Sequence, residues 1–235
     1  MLGYVNLEDT FLDRTIRIGR QNAAHGAIGR FDGIMAGVGN GEGNRFNLLA
    51  GVPYMGTTES TRRFYGMSYE TILNDVWSGE VYYNFQTADN IAERSAIGGN
   101  VRYYKNNWSL MASAEYDTIY REFNAITLQA TGQTDPYGYY FFMDRRKSPM
   151  LFAERSLLIG LNTPYRQPFN TVGDTFRRSG LSSDEIYKFI NSSTAISNAY
   201  VVGISKQLNK KWSLATDMQV TNQTSAEDTS FIPTA

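Results

Sequence analysis

The chain has 235 residues and nearly balanced charge, with 22 lysines and arginines against 23 aspartates and glutamates. A formal net charge of -1 argues against a nucleic-acid-binding protein, because such proteins usually carry a basic excess. The absence of cysteine excludes a disulfide scaffold, a thiolate metal site and a cysteine nucleophile. No run of eighteen apolar residues exists, so the sequence offers no transmembrane helix.

Apolar and polar residues alternate along most of the chain, in segments of roughly ten residues that short polar turns separate. This period of two predicts β-strands with one apolar and one hydrated face. The predicted strands are, in chain order, 2–7, 14–21, 32–39, 45–54, 61–69, 79–87, 94–104, 108–117, 122–131, 137–146, 198–206 and 211–221.

The turns between these segments have the composition of tight connections. Gly39 to Asn44 supplies residues that tolerate a positive φ. Lys105-Asn106-Asn107 and Asn209-Lys210-Lys211 are short polar links that each end just before a tryptophan. The strands on either side of each link are therefore predicted to pair as hairpins.

Charged residues in the clearest strands keep to one parity. In 108–117, Glu115 and Asp117 alternate with Trp108, Ala114 and Tyr116. The predicted strands are mostly longer than the five or six residues usual in soluble sheets, and a dry sandwich core has no need of Arg or Glu in mid-strand. We therefore predict an all-β fold, an antiparallel transmembrane β-barrel of about twelve strands. A soluble β-sandwich or β-helix is the alternative.

The alternation of apolar and polar residues stops over 147–197, where Pro149, Pro164 and Pro168 oppose regular strand pairing. Ser182 to Glu185 is typical of a capping box that opens a short helix with an apolar stripe. We thus expect one barrel domain over 1–235 with a long inserted loop. A loop of this length usually has a role. It could constrict the lumen, cap the mouth or pack on the rim.

Two pairs of motifs resemble segments of Gram-negative outer-membrane barrel proteins. Gly19-Arg20-Gln21 with Gly29-Arg30-Phe31-Asp32-Gly33 is similar to a pair that joins adjacent strands. Asp144 to Pro149, with Leu157-Leu158-Ile159-Gly160, resembles a motif nearer the end of such barrels. In many of these proteins, as in exporters of the poly-N-acetylglucosamine type, the barrel follows a periplasmic tetratricopeptide-repeat domain. The resemblance implies an outer-membrane location.

This chain departs from that plan in two ways. It has no repeat helices, and it ends in Ser230 to Ala235 without the terminal aromatic residue of complete barrels. Its first residues, Met1 to Asn6, do not form a signal peptide. We therefore expect a fragment that contains part of a longer barrel protein.

Catalytic chemistry finds little support in the sequence. The one histidine, His25, lies in a predicted loop without a nucleophile motif or metal-ligand partners. The spaced glycines at 37, 39, 41 and 43 precede no helix, so a hairpin explains them better than a phosphate cradle. We expect no enzyme activity, no cofactor and no metal.

The chain is therefore predicted to be a pore or export channel for hydrophilic solutes, with polysaccharide as one candidate solute, embedded among bilayer lipid and lipopolysaccharide. The alternative is a barrel that anchors a periplasmic repeat domain. Charged side chains facing a wet lumen can select anions or order an inner loop, although they can also simply neutralise one another. The candidates are Arg17, Arg20, Arg102, Glu115, Asp117, Asp144 and Arg146. The oligomeric state is left open.

Overall fold

A computed structural model describes residues 3–9, 13–22, 30–54, 59–148, 153–162 and 169–224. Its strands are β1 (Gly3–Asp9), β2 (Arg14–Asn22), β3 (Arg30–Gly39), β4 (Arg45–Pro53), β5 (Arg62–Ile72), β6 (Trp77–Ala88), β7 (Ile91–Lys105), β8 (Trp108–Asp117), β9 (Glu122–Thr134), β10 (Tyr137–Ser148), β11 (Ala195–Gln207) and β12 (Ser213–Thr224). A 3₁₀ helix (Ala153–Asn162), α1 (Val172–Arg178) and α2 (Ser183–Ser192) lie between β10 and β11.

The twelve strands form one sheet in which each strand pairs antiparallel with the next along the chain. Each predicted strand corresponds to one of these, so the all-β antiparallel prediction is confirmed. The ends differ by a few residues. β10 and β11 also extend into the predicted loop, since they pair as far as Ser148 and Ala195.

The connections divide the sheet into two unlike ends. The short-turn end holds the links after the odd-numbered strands, each of two to five residues. The insertion end holds the links after the even-numbered strands, including the helical insertion over 149–194. At this end Asp89 and Asn90 form a two-residue turn with φ of 52° and 66°, the backbone that a tight hairpin of type I′ requires.

The sheet inverts the usual distribution of side chains. One face, here called the apolar face, exposes large hydrophobic side chains to the surroundings, among them Ile34, Leu48, Val81 and Ile97. The opposite face, here called the polar face, buries polar and charged side chains, among them Asn47, Asn84, Gln86, Arg94 and Glu115. An exposed apolar surface of this extent marks a surface that contacts something other than water.

The described part of the insertion packs against the insertion end of the sheet. Ile159 of the 3₁₀ helix, Val172 of α1 and Ile186 and Ile190 of α2 form a cluster with Ala88 and Tyr120 of the sheet and its turns. The predicted capping box at Ser182 and Glu185 is present and begins α2. Among the described residues, no helix is long and apolar enough to cross a membrane.

Candidate functional site

The polar face holds two ion pairs that are shielded from solvent. In the first, Arg62 of β5 donates to Glu93 of β7, with Nε 3.1 Å from Oε2. Gln86 of β6 donates to the same carboxylate at 2.7 Å. The arginine and glutamate side chains are 4% and 0% exposed. Such pairs need additional hydrogen bonds to offset the cost of removing both charges from water, and Gln86 supplies one of them.

The second pair lies one row away, between Arg94 of β7 and Glu115 of β8, and its side chains are 1% and 4% exposed. Tyr82 donates its hydroxyl to Glu115 at 2.9 Å, and Asn124 donates its side-chain amide at the same distance. The Glu115 carboxylate thus accepts hydrogen bonds from side chains on three strands. This arrangement cross-links the polar face of β6 to β9 and fixes the arginine in position.

A β-bulge explains why Glu93 and Arg94, adjacent in sequence, are both buried on this face. Gln86 pairs with Arg94 and Thr87 pairs with Ala92, so Glu93 is the extra residue of the bulge. A bulge interrupts the alternation of side chains between faces. The simple period of two therefore misses this site, although the Glu-Arg sequence inside a strand is a visible signal.

The insertion is tied to the sheet beside these pairs. Arg62 contacts Glu154 of the 3₁₀ helix at 3.3 Å. Lys147 of β10 donates to Asn191 of α2 and pairs with Glu122, each at 3.0 Å. The contact of Arg62 links the first ion pair directly to the insertion, and Lys147 adds a second attachment, so the polar face is covered at this end.

Backbone groups of the insertion also bond to the hairpin turn at Asp89. The amide of Gly173 donates to Asp89 Oδ2 and that of Thr61 donates to Oδ1, each at 2.9 Å. The amide of Val172 donates to Ser60 Oγ at 2.9 Å. Burial raises the pKa of Asp89, but these amide donors and two nearby hydroxyls outweigh it, and the net pKa is lowered.

Tyrosine side chains complete the attachment. Tyr187 of α2 donates its hydroxyl to the carbonyl of Ala92 at 2.8 Å, and Tyr120 donates to the carbonyl of Glu93 at 3.1 Å. Their rings meet edge to face, with centroids 5.6 Å apart. Burial raises the pKa of both tyrosines, so both hydroxyls stay protonated and act as donors at neutral pH.

The predicted lumen residues do not gather into a single site. Glu115 and Asp117 lie on the polar face, buried near the insertion, whereas Arg102 is exposed toward the short-turn end. Asp144 accepts from Arg146 on the same strand and from Thr127 on β9.

Two of these arginines lie on β2, several strands away from that group. Arg17 lies on the polar face of β2, where it donates to Asn6 at 3.4 Å. Arg20 instead shares the apolar face of β2 with Ile16 and Ile18, so its side chain does not join the polar-face set. The loop with His25 lies outside the described residues.

Aromatic side chains line both margins of the apolar face. Those near the short-turn end include Trp77, Tyr103, Trp108 and Tyr139; those near the insertion end include Tyr65, Phe85, Tyr116 and Phe123. Several are in contact, as in Trp77 with Tyr103 and Tyr116 with Phe123, at centroid distances of 4.8 and 5.3 Å.

The distance between these margins along the strands suits a transmembrane strand, which needs about 9–11 tilted residues. Tyr116 lies eight positions after Trp108 along β8, which is about 26 Å of strand at ~3.3 Å per residue. Between the margins the apolar face of β5 to β9 has no charged residue. Transmembrane barrels likewise have an apolar band between two aromatic girdles, crossed by strands that tilt by about 35–45°.

No protein-family description matches the chain, and no curated protein matches it. Among solved structures the chain is similar to a KdgM porin, with 11% sequence identity and a TM-score of 0.31. The similarity covers 83% of this chain and 86% of the porin chain. The architecture therefore rests on the strand pairing and the two faces described above.

Proposed function

We propose that the chain forms the wall of an outer-membrane β-barrel that conducts hydrophilic solutes. The observation that supports this best is the inverted sheet, with buried ion pairs on one face and exposed aliphatic side chains between aromatic margins on the other. A sheet of this kind is stable where hydrocarbon contacts its apolar face and water or polar protein fills the other side.

Membrane insertion requires the sheet to close. In hydrocarbon each unpaired backbone group costs several kcal/mol, so open sheet edges do not occur there. The edge strands are β1 and β12, which pair with only one neighbour each within the described residues. They run in opposite directions, because the sheet alternates and has an even number of strands. We propose that they pair with each other and close the barrel.

The insertion would then cover one mouth of this barrel. It is fastened through Arg62, Lys147 and Asp89, and it shields the polar face around the two buried ion pairs. The polar face bears Arg102 toward its short-turn end and Arg17 on β2. We propose these two arginines, with Asp144 and Arg146, as side chains that meet the permeating solute.

The test is conductance in planar lipid bilayers, measured for the full chain and for a variant in which residues 153–192 are replaced by a short Gly-Ser turn. We expect small or no current from the full chain and a larger, stepwise conductance from the shortened variant. Protection of the apolar-face strands from added protease confirms that each sample is inserted.

Two results would count against this proposal. Inserted protein that passes no current in either form would overturn the channel and favour the alternative of a membrane anchor. Equal conductance in both forms would show that the insertion does not cover the pore. The expectations of polysaccharide as solute and of an attached repeat domain stay predictions.

A further inference from the structure

Arginine side chains appear on the apolar face just where its hydrophobic rows end. Arg20 on β2 pairs across the ladder with Asp32 on β3, and the neighbouring row toward the middle of the sheet is Ile18 with Ile34. Asp32 is in turn opposite Val52, and Arg63 on β5 is opposite Thr87. Charge therefore begins within one row of the aliphatic band, at the insertion end of β2 to β5.

Tyr54 contacts two arginines at this edge of the apolar face. The guanidinium carbon of Arg20 lies 4.6 Å from the centroid of the tyrosine ring, and that of Arg30 lies 5.7 Å from it. Arg20 is neutralised by a two-point ion pair with Asp32, at 2.7 and 2.8 Å. For Arg30 no carboxylate partner is found among the described residues, so one positive charge of this group is uncompensated there.

Arg63 lies at the same edge of the apolar face, two strands away from Asp32. It lines an open, polar cavity of about 440 Å³ together with Thr87 and with Arg177 of α1. The two carboxylates of this cavity already have partners other than Arg63. Asp89 accepts hydrogen bonds from two backbone amides, and Asp174 contacts Arg177 at 3.5 Å. Within the described ranges Arg63 has no ion pair of its own.

We propose that this rim, composed of Arg30, Arg63 and the Arg20–Tyr54 support, binds the phosphate-bearing headgroup of a membrane glycolipid. The proposal rests on the membrane placement given above, which puts these side chains at the boundary between acyl chains and headgroups. Guanidinium groups bind phosphate oxygens through two parallel hydrogen bonds. The aliphatic rows directly below contact the acyl chains of the same molecule.

The experiment uses the full chain in phosphatidylcholine nanodiscs to which lipid A is added, either with its two phosphates or enzymatically dephosphorylated. Binding is measured by native mass spectrometry as the fraction of protein that retains a glycolipid. The double variant Arg30→Ala/Arg63→Ala is compared with Arg14→Ala, which removes an arginine from the same face at the short-turn end.

We expect the phosphorylated lipid to bind the native chain, with a loss of about tenfold in the double variant and less than about twofold in the control. Equal retention of dephosphorylated lipid, or equal loss in the control, would overturn the headgroup site. Displacement by micromolar inorganic pyrophosphate would also overturn it, in favour of a free-phosphate site. Failure of the chain to insert would instead reject the membrane placement itself.

Discussion

At the scale of single residues, the parity of a position decides which medium its side chain meets. Ala112 and Ser113 are neighbours in the middle of β8, but Ala112 lies on the apolar face, opposite Val101 and Leu128, and Ser113 lies on the polar face, opposite Asn100 and Thr127. The two positions have the same local backbone and the same depth, so they form a matched pair.

We predict that Ala112→Arg destabilises the inserted protein by about 2–4 kcal/mol, because the charge would face hydrocarbon near the middle of the band. Ser113→Arg should cost clearly less, since its side chain points toward the hydrated side. Urea unfolding in lipid vesicles, followed by tryptophan fluorescence, measures both. Similar losses for the two variants, or a larger loss for Ser113→Arg, would contradict a lipid-facing apolar surface.

Some residue-level features follow from the sequence and others do not. Glu115 and Asp117 could be placed on the polar face from alternation alone, because β8 pairs with β7 without a register shift through Asp117. The Arg62–Glu93 and Arg94–Glu115 pairs could not, because the bulge at Glu93 breaks the alternation and because pairing depends on register across strands. The register is a property of the assembled sheet rather than of any single segment.

At the scale of elements, local signals set what could be predicted. The twelve strands repeat a strong period of two, and α2 begins with a complete capping box at Ser182, so both kinds of element are visible in the sequence. The 3₁₀ helix has no comparable signal, and the seven residues of α1 have only an N-cap, Thr171, whose hydroxyl accepts from the amide of Asp174. They gain their stability from the cluster around Val172 and Ile159, which exists only after the insertion reaches the sheet.

The attachment of α1 to the Asp89 turn should depend on pH. The lowered pKa of Asp89 means that its contribution is full above the usual aspartate pKa of about 3.9 and is lost as the pH falls through the lower folded value. We predict that Asp89→Asn speeds amide exchange in Val172–Arg178 by roughly threefold at pH 7. Asparagine tolerates the positive φ of this turn as aspartate does.

Hydrogen exchange with mass spectrometry, corrected for the intrinsic rates, measures this effect at pH 7 and at pH 3. The difference between the two proteins should shrink at pH 3, since this pH lies below the usual aspartate pKa and the stabilising contribution of the Asp89 charge declines from that pKa downward. Asp75→Asn, in a turn at the short-turn end, serves as the control and should leave α1 unchanged. A difference that is the same at both pH values would show that the charge of Asp89 does not hold α1.

At the scale of the whole molecule, alternation predicts how many strands there are and which way they face, but not what covers the ends or the edges. The cover over the insertion end comes from contacts between residues about 40 to 110 positions apart, such as Lys147 with Asn191 and Ser60 with Val172. Alternation likewise does not predict what the edge strands pair with. β1 and β12 each offer one unpaired row of backbone groups within the described residues.

The faces of these two edges match. On β1 the apolar face bears Val5 and Leu7, which pair with Ile18 and Ile16. On β12 it bears Leu214, Met218 and Val220. Joining the edges would therefore continue both the aliphatic band on one side and the polar surface on the other. A slip of one residue would put apolar side chains on the polar surface, so only same-face pairs are compatible with closure.

Closure can be tested cleanly because the chain has no cysteine of its own. We predict that Val5→Cys, combined in turn with Leu214→Cys, Thr216→Cys and Met218→Cys, gives an intramolecular disulfide in at least one pair after mild oxidation of vesicle-inserted protein. A disulfide needs Cα atoms about 4.4–6.8 Å apart, so it reports direct strand pairing. Val5→Cys with Val81→Cys on the apolar face of β6 is the control and should not cross-link.

The product on a non-reducing gel distinguishes the possible partners of these edges. An intramolecular bond changes the migration of the monomer, whereas a bond between two copies produces a dimer and would show that the edges pair between chains. If none of the three pairs cross-links in protein that is inserted and protease-protected, β1 and β12 are not neighbours. Their edges would then have to be satisfied by other strands, because hydrocarbon does not tolerate an open sheet.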